Sequence, residues 1–412
     1  MRQTPTSRDL RQHNRAAVLR KIVLDGETTR AGLAASCGLS PATVTNVVAD
    51  LMRDGLVQET GLRPSEGGRP MARLGAVPEG ACVIGVDVGE NGVTAELFDL
   101  RLNRVDRVYR ELATRTVSPE RVTSALSDAV AILRKAHPGP GASLAGIGLG
   151  VPGIVDVTAD GTTRIYTQSL GSDEIVVDQL FRLDDVPVYA DNGAKTLAAA
   201  ESWFGAARGA RHAIVALVGR GIGAGVIVGG RVLRGYASSA GEWGHTKVAI
   251  DGPACHCGGR GCLEAFVGGE AILRRWTDMQ DRRGGTQGTG GDLQSTDETK
   301  LAHLLQAAAT GDSVAREVVS DTVEILGMGL ANLVNLFNPE RIVVGGWAGL
   351  LLHQAHHDEL EQAIRRHTLH RPGEQFRLEA CVFGDDAVAL GAALLPLDRL
   401  IEGDIPAPKA ST

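Results

Sequence analysis

Three short runs of apolar residues at helical spacing open the chain. In NRAAVLRKIVLDG, Val18, Leu19, Ile22 and Val23 share one face before Gly26 stops the pattern. A second helical run spans Thr29 to Gly38. The third begins in LSPATVTNVVADLMRDG, where Val44, Val47, Val48 and Leu51 form the buried stripe. Ser40 suits the N-cap of this helix and Pro41 its first position, where a missing N–H is no loss. Thr43, Thr45, Asn46 and Asp50 are left to the outer face. LVQETGLRPSEGGRPMARLGA then predicts a hairpin-like wing.

Past residue 80 the pattern changes to apolar runs ending in glycine turns. CVIGVDVGENGVTAELFDL (82–100) reads as strand, turn and returning strand, and AIVALVGRGIGAGVIVGGRVLRG (213–235) repeats that unit. LAGIGLGVPGIVD (144–156), VPVYADNGAK (186–195) and ERIVVGGWAG (340–349) each run from a strand into a glycine turn, with helical stretches between several of them. Strands alternating with helices predict an α/β architecture, and the repeated unit predicts two related lobes around a cleft. DMQDRRGGTQGTGGDLQSTD, between about 278 and 298, has almost no apolar content and reads as a mobile surface insertion.

Length and charge refine this picture. A chain of 412 residues suggests two or three domains. Its longest apolar runs fall well short of the ~20 residues that span a bilayer, and MRQTPTSRDLRQHNR lacks the apolar core of a signal peptide, so a cytoplasmic protein is expected with no membrane partner. Net charge is −7, yet residues 1–80 hold 11 Lys+Arg against 8 Asp+Glu, net +3, leaving 31 against 41, net −10, for the rest. A basic head on an acidic body is the asymmetry expected if the head alone meets a polyanion.

The helix spacing in the head fits a helix-turn-helix whose third helix enters the major groove of DNA, with a small helical protein-interaction module as the alternative. The DNA-facing candidates are Ser40, Pro41, Thr43, Thr45 and Asn46, together with Arg69, which the GGRP wing segment could carry into a minor groove. In the body, GEWGHTKVAIDGPACHCGGRGCLE (241–264) supplies one imidazole and three thiols from His245, Cys255, Cys257 and Cys262. That is the tetrahedral N/S set preferred by Zn²⁺, and four protein ligands leave no open position, so the zinc is expected to be structural. Cys37, Cys82 and Cys381 stand alone in apolar surroundings, so no disulfide framework is expected.

These motifs resemble the ROK family of sugar kinases and sugar-responsive repressors over nearly the whole chain. The head is similar to the winged helix-turn-helix of the repressor branch in LAASCGLSPATVTNVVADLMRDGLV and GGRP. The body is similar to the shared module in GVDVG, GVPGIVD, DN with AAAESWFGAARG, GIGAGVI, and GEWGH followed by the zinc segment and GCLE. The resemblance implies a winged head at 1–76 and an actin-like two-lobed ATPase fold. Its first lobe is expected at 77–200, completed by a helix at 386–403, and its second at 201–385, with the zinc loop and a dimer surface. It implies sugar contacts by Asn192, Glu242, His245 and Glu264, with one ring nitrogen of His245 on zinc and the other toward a sugar oxygen.

The same resemblance marks departures from a kinase. The general-base Asp of kinase members falls on Gly193, a loss on the order of 10²–10⁴-fold in proton-transfer catalysis, and a family Asn falls on Lys195. Asp87 is kept, but Glu90 and Asn91 replace the glycine and threonine of the first turn, Arg220 sits in the second, and Trp347 lies near the expected nucleotide region. Ser169 also stands where an Asn is usual. The expectation is a homodimeric or tetrameric regulator, a repressor of carbohydrate genes, without catalytic residues, binding a DNA operator and a sugar or sugar derivative. Two alternatives stay open: a bifunctional sugar kinase with a DNA-binding head, and a regulator whose body binds a protein partner.

Overall fold

The computed structural model describes residues 6–63, 70–112, 118–137, 144–167, 170, 174–283 and 296–405. They fall into two compact units, Met1–Asn192 with Val388–Thr412, and Gly193–Ala387. The chain thus divides after Asn192, where the sequence placed the lobe boundary after residue 200.

The first unit opens with α1 (Ser7–Asp25), β1 (Glu27–Thr29), α2 (Arg30–Cys37), α3 (Pro41–Arg53), β2 (Val57–Arg63) and β3 (Met71–Ala76). Local capping sets each boundary. Thr6 and Asp9 form a capping box at α1, which starts seven residues before the predicted NRAAVLRKIV run, and Gly26 ends it at φ +75°. Thr29 caps α2, and Gly38 closes it in the left-handed region. Ser40 caps α3 by accepting from Thr43 N, with Pro41 at its first turn. The predicted stripes on α1 and α3 are buried. Three helices and an antiparallel β1-β3-β2 sheet make a winged helix-turn-helix arrangement. The sequence missed β1, whose three residues are too few to show a period.

The unit continues with β4 (Cys82–Val88), β5 (Gly92–Asp99), β6 (Arg104–Glu111), α4 (Pro119–Ala136), β7 (Leu144–Val151), β8 (Ile154–Val157), β9 (Thr163–Tyr166), β10 (Ile175–Val176), α5 (Val177–Leu180) and β11 (Val188–Asn192). The second unit holds α6 (Gly193–Trp203), β12 (His212–Val218), β13 (Ile222–Val228), β14 (Arg231–Val232), α7 (Glu264–Val267), α8 (Gly269–Arg282), α9 (Asp297–Thr310), α10 (Ser313–Phe337), β15 (Arg341–Gly345), α11 (Trp347–His367), α12 (His370–Gly373) and β16 (Arg377–Ala380). The chain then returns to the first unit as α13 (Ala387–Glu402). None of the described helices is long and apolar enough to cross a membrane.

Each unit is built on a five-stranded sheet, ordered β11-β7-β4-β5-β6 in one and β14-β13-β12-β15-β16 in the other. Counted along the chain within its own sheet, each runs 3-2-1-4-5, with an antiparallel meander followed by two parallel strands. The repeated strand–turn–strand motif therefore extends to a repeated fold, the actin-like arrangement. Each sheet has its own core, with Val86, Ile147 and Leu126 in the first unit and Ile214, Val226, Leu326 and Leu330 in the second.

Glycines let α13 lie directly on the first sheet. A Cβ at Gly148 would sit 1.8 Å from Ala392 O, and one at Gly85 would sit 1.9 Å from Ala389 O, both backbone atoms. Gly148→Ala is therefore expected to destabilise the first unit by about 3 kcal/mol, the upper range for overpacking where backbone must move. Urea unfolding followed by circular dichroism checks this, and an unchanged midpoint would show that the helix can lift without loss. The predicted insertion at 278–298 is narrower than expected. Residues 278–282 continue α8 because Trp276 and Met279 pack against the second core, and 297–298 already belong to α9. Residues 284–295 lie outside the described residues, as do Arg69 and Ser169.

Candidate functional site

The 3-10 turn Trp243–His245 begins the segment with the densest chemistry. Trp243 is buried and its Nε1 donates to Gly329 O at 3.0 Å, which seats the turn on α10 and fixes its neighbours Glu242 and His245. The chain then folds back through the bridges Lys247↔Cys262 and Ala254↔Arg260. The tight return requires Gly261, at φ +70°, where a Cβ would meet Ala249 O at 1.7 Å.

This return brings His245, Cys255, Cys257 and Cys262 together, with all ligand atoms within 4.8 Å of one another. Cys257 Sγ and Cys262 Sγ are 3.7 Å apart, and Cys255 Sγ lies 3.7 Å from His245 Nδ1. For zinc–sulfur bonds of about 2.3 Å, a tetrahedron places sulfurs about 3.8 Å apart and sulfur to imidazole nitrogen about 3.6 Å apart. The donor set and its spacing thus fit a closed tetrahedral metal site with Nδ1 as the histidine ligand. Burial pushes the Cys255 thiol up to about 12, whereas the Gly259 backbone N–H lowers Cys257 below the ordinary thiol value. Lys247 Nζ donates to Cys262 Sγ at 2.8 Å, and that bond raises the lysine above its ordinary value. A cation would hold the sulfurs as thiolates, and Lys247 would offset their excess negative charge.

Glu242 and Glu264 flank the cluster. Burial raises the Glu242 carboxyl; Lys195 and His245 pull it back, and Glu264 adds to the rise. Glu264 Oε2 accepts from Ile222 N at 3.0 Å, and Oε1 lies 3.6 Å from Cys255 Sγ, so one carboxylate ties the second glycine turn to the cysteine loop. Glu242, His245 and Glu264 are thus brought together in the second unit. Asn192 ends β11 in the first unit, where its Nδ2 donates to Gly153 O at 2.7 Å and holds the turn after β7.

Lys195 is a residue whose importance the sequence hid. It is 2% exposed on α6, and its ammonium donates to Ser238 O. Ser238 itself sits at φ +53°, a strained setting for a residue with a side chain, in the loop leading to Glu242. Lys195 therefore braces the backbone from which Glu242 and His245 project.

The remaining positions are placed as follows. Gly193 is the first residue of α6. Glu90 is exposed in the β4–β5 turn, beyond the half-buried Asp87. In the β12–β13 turn, Gly219 O accepts from Gly269 N at 2.8 Å, and Arg220 Nη2 is 3.4 Å from Asp297 Oδ2. The Trp347 ring packs on Gly269, where a Cβ would meet it at 2.2 Å. On α3, Ser40, Pro41, Thr45 and Asn46 are exposed. Thr43 is half-buried, and its hydroxyl pairs with Ser40 Oγ at 2.8 Å, while Thr45 Oγ1 donates back to Pro41 O at 2.8 Å. Asp50, expected on the outer face, is also half-buried and pairs with Arg53 at 2.9 Å.

Comparison with known proteins places this arrangement. The sequence pattern of the ROK family matches residues 83–399. The chain is 30% identical over 398 residues to the xylose repressor of Caldicellulosiruptor bescii, covering 95% of this chain and 97% of that protein. It is 32% identical over 340 residues to the DNA-binding transcriptional dual regulator NagC of Escherichia coli K12, covering 82% and 81%. Its fold matches the crystal structure of a ROK family transcriptional regulator described as a homologue of the E. coli MLC protein, with a TM-score of 0.77 over 96% of this chain and 98% of that one, at 24% identity. With the family pattern spanning the body and a repressor matching nearly end to end, the chain belongs to the ROK family.

Proposed function

We propose that the protein is a sugar-responsive transcriptional regulator, a repressor of carbohydrate-metabolism genes, that binds a DNA operator as a homodimer or tetramer in the cytoplasm. The observation that carries this reading is the union, in one chain, of a winged helix-turn-helix with a ROK body that a named repressor matches over 95% of this chain. On α3, exposed Asn46 and Thr45 are the side chains offered to base edges, while Ser40, Pro41 and Thr43 set the start of the helix. In a dimer, two such helices would read half-sites about 34–36 Å apart.

Glu242, His245 and Glu264 offer carboxylate and imidazole partners to sugar hydroxyls, and Asn192 offers an amide. Zinc held by His245, Cys255, Cys257 and Cys262 would be structural, fixing the tautomer of His245 so that Nε2 faces away from the metal. Phosphoryl transfer is not the expected activity. Gly193 has no group to accept a proton, Glu90 adds negative charge at the first turn, and Trp347 and the Arg220–Asp297 pair crowd the second. The kinase alternative rests on Asp87, which is kept at the end of β4.

Thermal-shift measurements against neutral sugars, phosphosugars and ATP test the reading. A sugar at a hundred times its Kd is expected to add about 2.7 kcal/mol of stability, while ATP adds nothing. Stabilisation by ATP together with sugar-dependent ADP release would overturn it in favour of the kinase.

A further inference from the structure

Among the described residues, contacts at two places connect the winged head to the sheet of the first unit. One is the linker after β3, where Val77 N donates to Leu56 O at 3.0 Å, Leu100 N to Pro78 O at 3.1 Å, and Arg101 Nε to Ala76 O at 2.9 Å. The other is made by α13, more than 300 residues away in sequence. Arg20 Nη2 on α1 lies 2.6 Å from Asp398 Oδ1 on α13. About two turns earlier on α1, Gln12 Nε2 donates to Glu402 O at 2.5 Å and reaches Asp404 Oδ1 at 3.5 Å. The head is thus held both through its linker and through α13.

Helix α13 also has an intimate hold on the sheet. Its backbone rests on Gly85 of β4 and Gly148 of β7, and Pro396 sits over Gly146. Near its end, the Arg399 guanidinium stands 5.9 Å from the ring centroid of Tyr189 on β11 and pairs with Asp404 at 3.0 Å. Tyr189 lies three residues before Asn192 on that strand. On the head side, Arg15 of α1 pairs at 2.8 Å with Asp54, the C-cap of α3. A continuous set of contacts therefore runs from the strand bearing Asn192, through Tyr189, Arg399 and α13, to α1 and the end of α3.

We infer that α13 is a strut that sets the direction of the operator-facing helix, with Arg20–Asp398 and Gln12–Glu402 passing the state of the Asn192 strand to the head. The inference rests on the regulator reading above. A two-ended link of this kind transmits a shift because packed elements move as bodies and the contacts at each end are specific. Arg20 and Asp398 are about two-fifths exposed, at 40% and 39%, so either can be changed without opening a core.

The test is a charge swap in the full-length protein, using a duplex that the wild type enriches from a random-sequence pool at one fixed salt concentration. Arg20→Asp and Asp398→Arg are each expected to shift operator affinity by about two- to five-fold, both in the same direction. The double swap Arg20→Asp/Asp398→Arg is expected to return it to the wild-type value. If Arg20 instead contacts a DNA phosphate, Arg20→Asp alone weakens binding and flattens the salt dependence, Asp398→Arg does not follow, and the swap fails to restore it. That result, or two silent single variants, would overturn the strut while leaving the regulator reading intact. A wild type that enriches no duplex would overturn the regulator reading, and the strut with it.

Discussion

Cys257→Ser should lower the metal content of the purified protein from about one zinc per chain to near zero and abolish its thermal response to sugar. Cys257 is the exposed member of the tetrad, whereas Cys255 and Cys262 are buried, so this substitution removes a ligand with little loss of packing. A structural zinc site of this type binds with about 10–16 kcal/mol in isolated peptides, a quantity that depends on all ligands acting together. Without it, the return from Lys247 to Cys262 keeps only its backbone bridges, and Glu242 and Glu264 at its two ends lose their common brace. His256→Ala, which changes an exposed neighbour between two ligands, should keep its full zinc content and its sugar response.

The protonation of the cluster gives the same prediction a pH dependence. With its thiol pushed up to about 12, Cys255 carries a proton at neutral pH until metal displaces it. Metal and proton therefore compete, and zinc affinity should rise with pH and fall with acid. Chelator competition at pH 6 and pH 8 measures this, with tighter retention expected at pH 8. Stoichiometric zinc in Cys257→Ser would mean that Cys257 is not needed to hold the metal.

The metal cluster was legible in the sequence because its ligands sit within 18 residues of one another, and short spacing constrains geometry. The helix stripes of the head were legible for the same local reason, as were the strands ending in glycine turns. The 3-2-1-4-5 order of each sheet was not, since β7 and β15 join their sheets over long stretches of chain. Thr43 and Asp50 were read as outward because periodicity assigns a face but does not see the capping bond from Ser40 or the pair with Arg53. Glu264 looked like a sugar ligand alone, and its bond to Ile222 N depends on a glycine turn some 40 residues earlier. The tail of α8 was lost in a polar run because two anchors, Trp276 and Met279, were enough to hold it to the core.

Lys195 was the least legible residue, because lysine is seldom fully buried and nothing in a local pattern marks the exception. Replacing it should have a large effect on stability for a single polar change. Lys195→Ala is expected to destabilise the second unit by about 3–5 kcal/mol, since it leaves the carboxylate of Glu242 in a poorly solvated site without its cation and Ser238 O without its donor. Lys135→Ala, on the exposed face of α4, should stay within about 0.5 kcal/mol in the same urea titration. Lys195→Met separates charge from volume, because methionine fills nearly the same space while supplying neither the donor nor the charge. If the charge is what matters, adding Glu242→Gln to Lys195→Met should recover part of the loss, with a coupling of about 0.5–3 kcal/mol. Strict additivity of the two changes would mean that Lys195 acts only by holding the Ser238 loop. Coupling would mean that the charge of the buried lysine acts on the Glu242 carboxyl against the burial that raises it, and a carboxylate there is the stronger acceptor for a sugar hydroxyl.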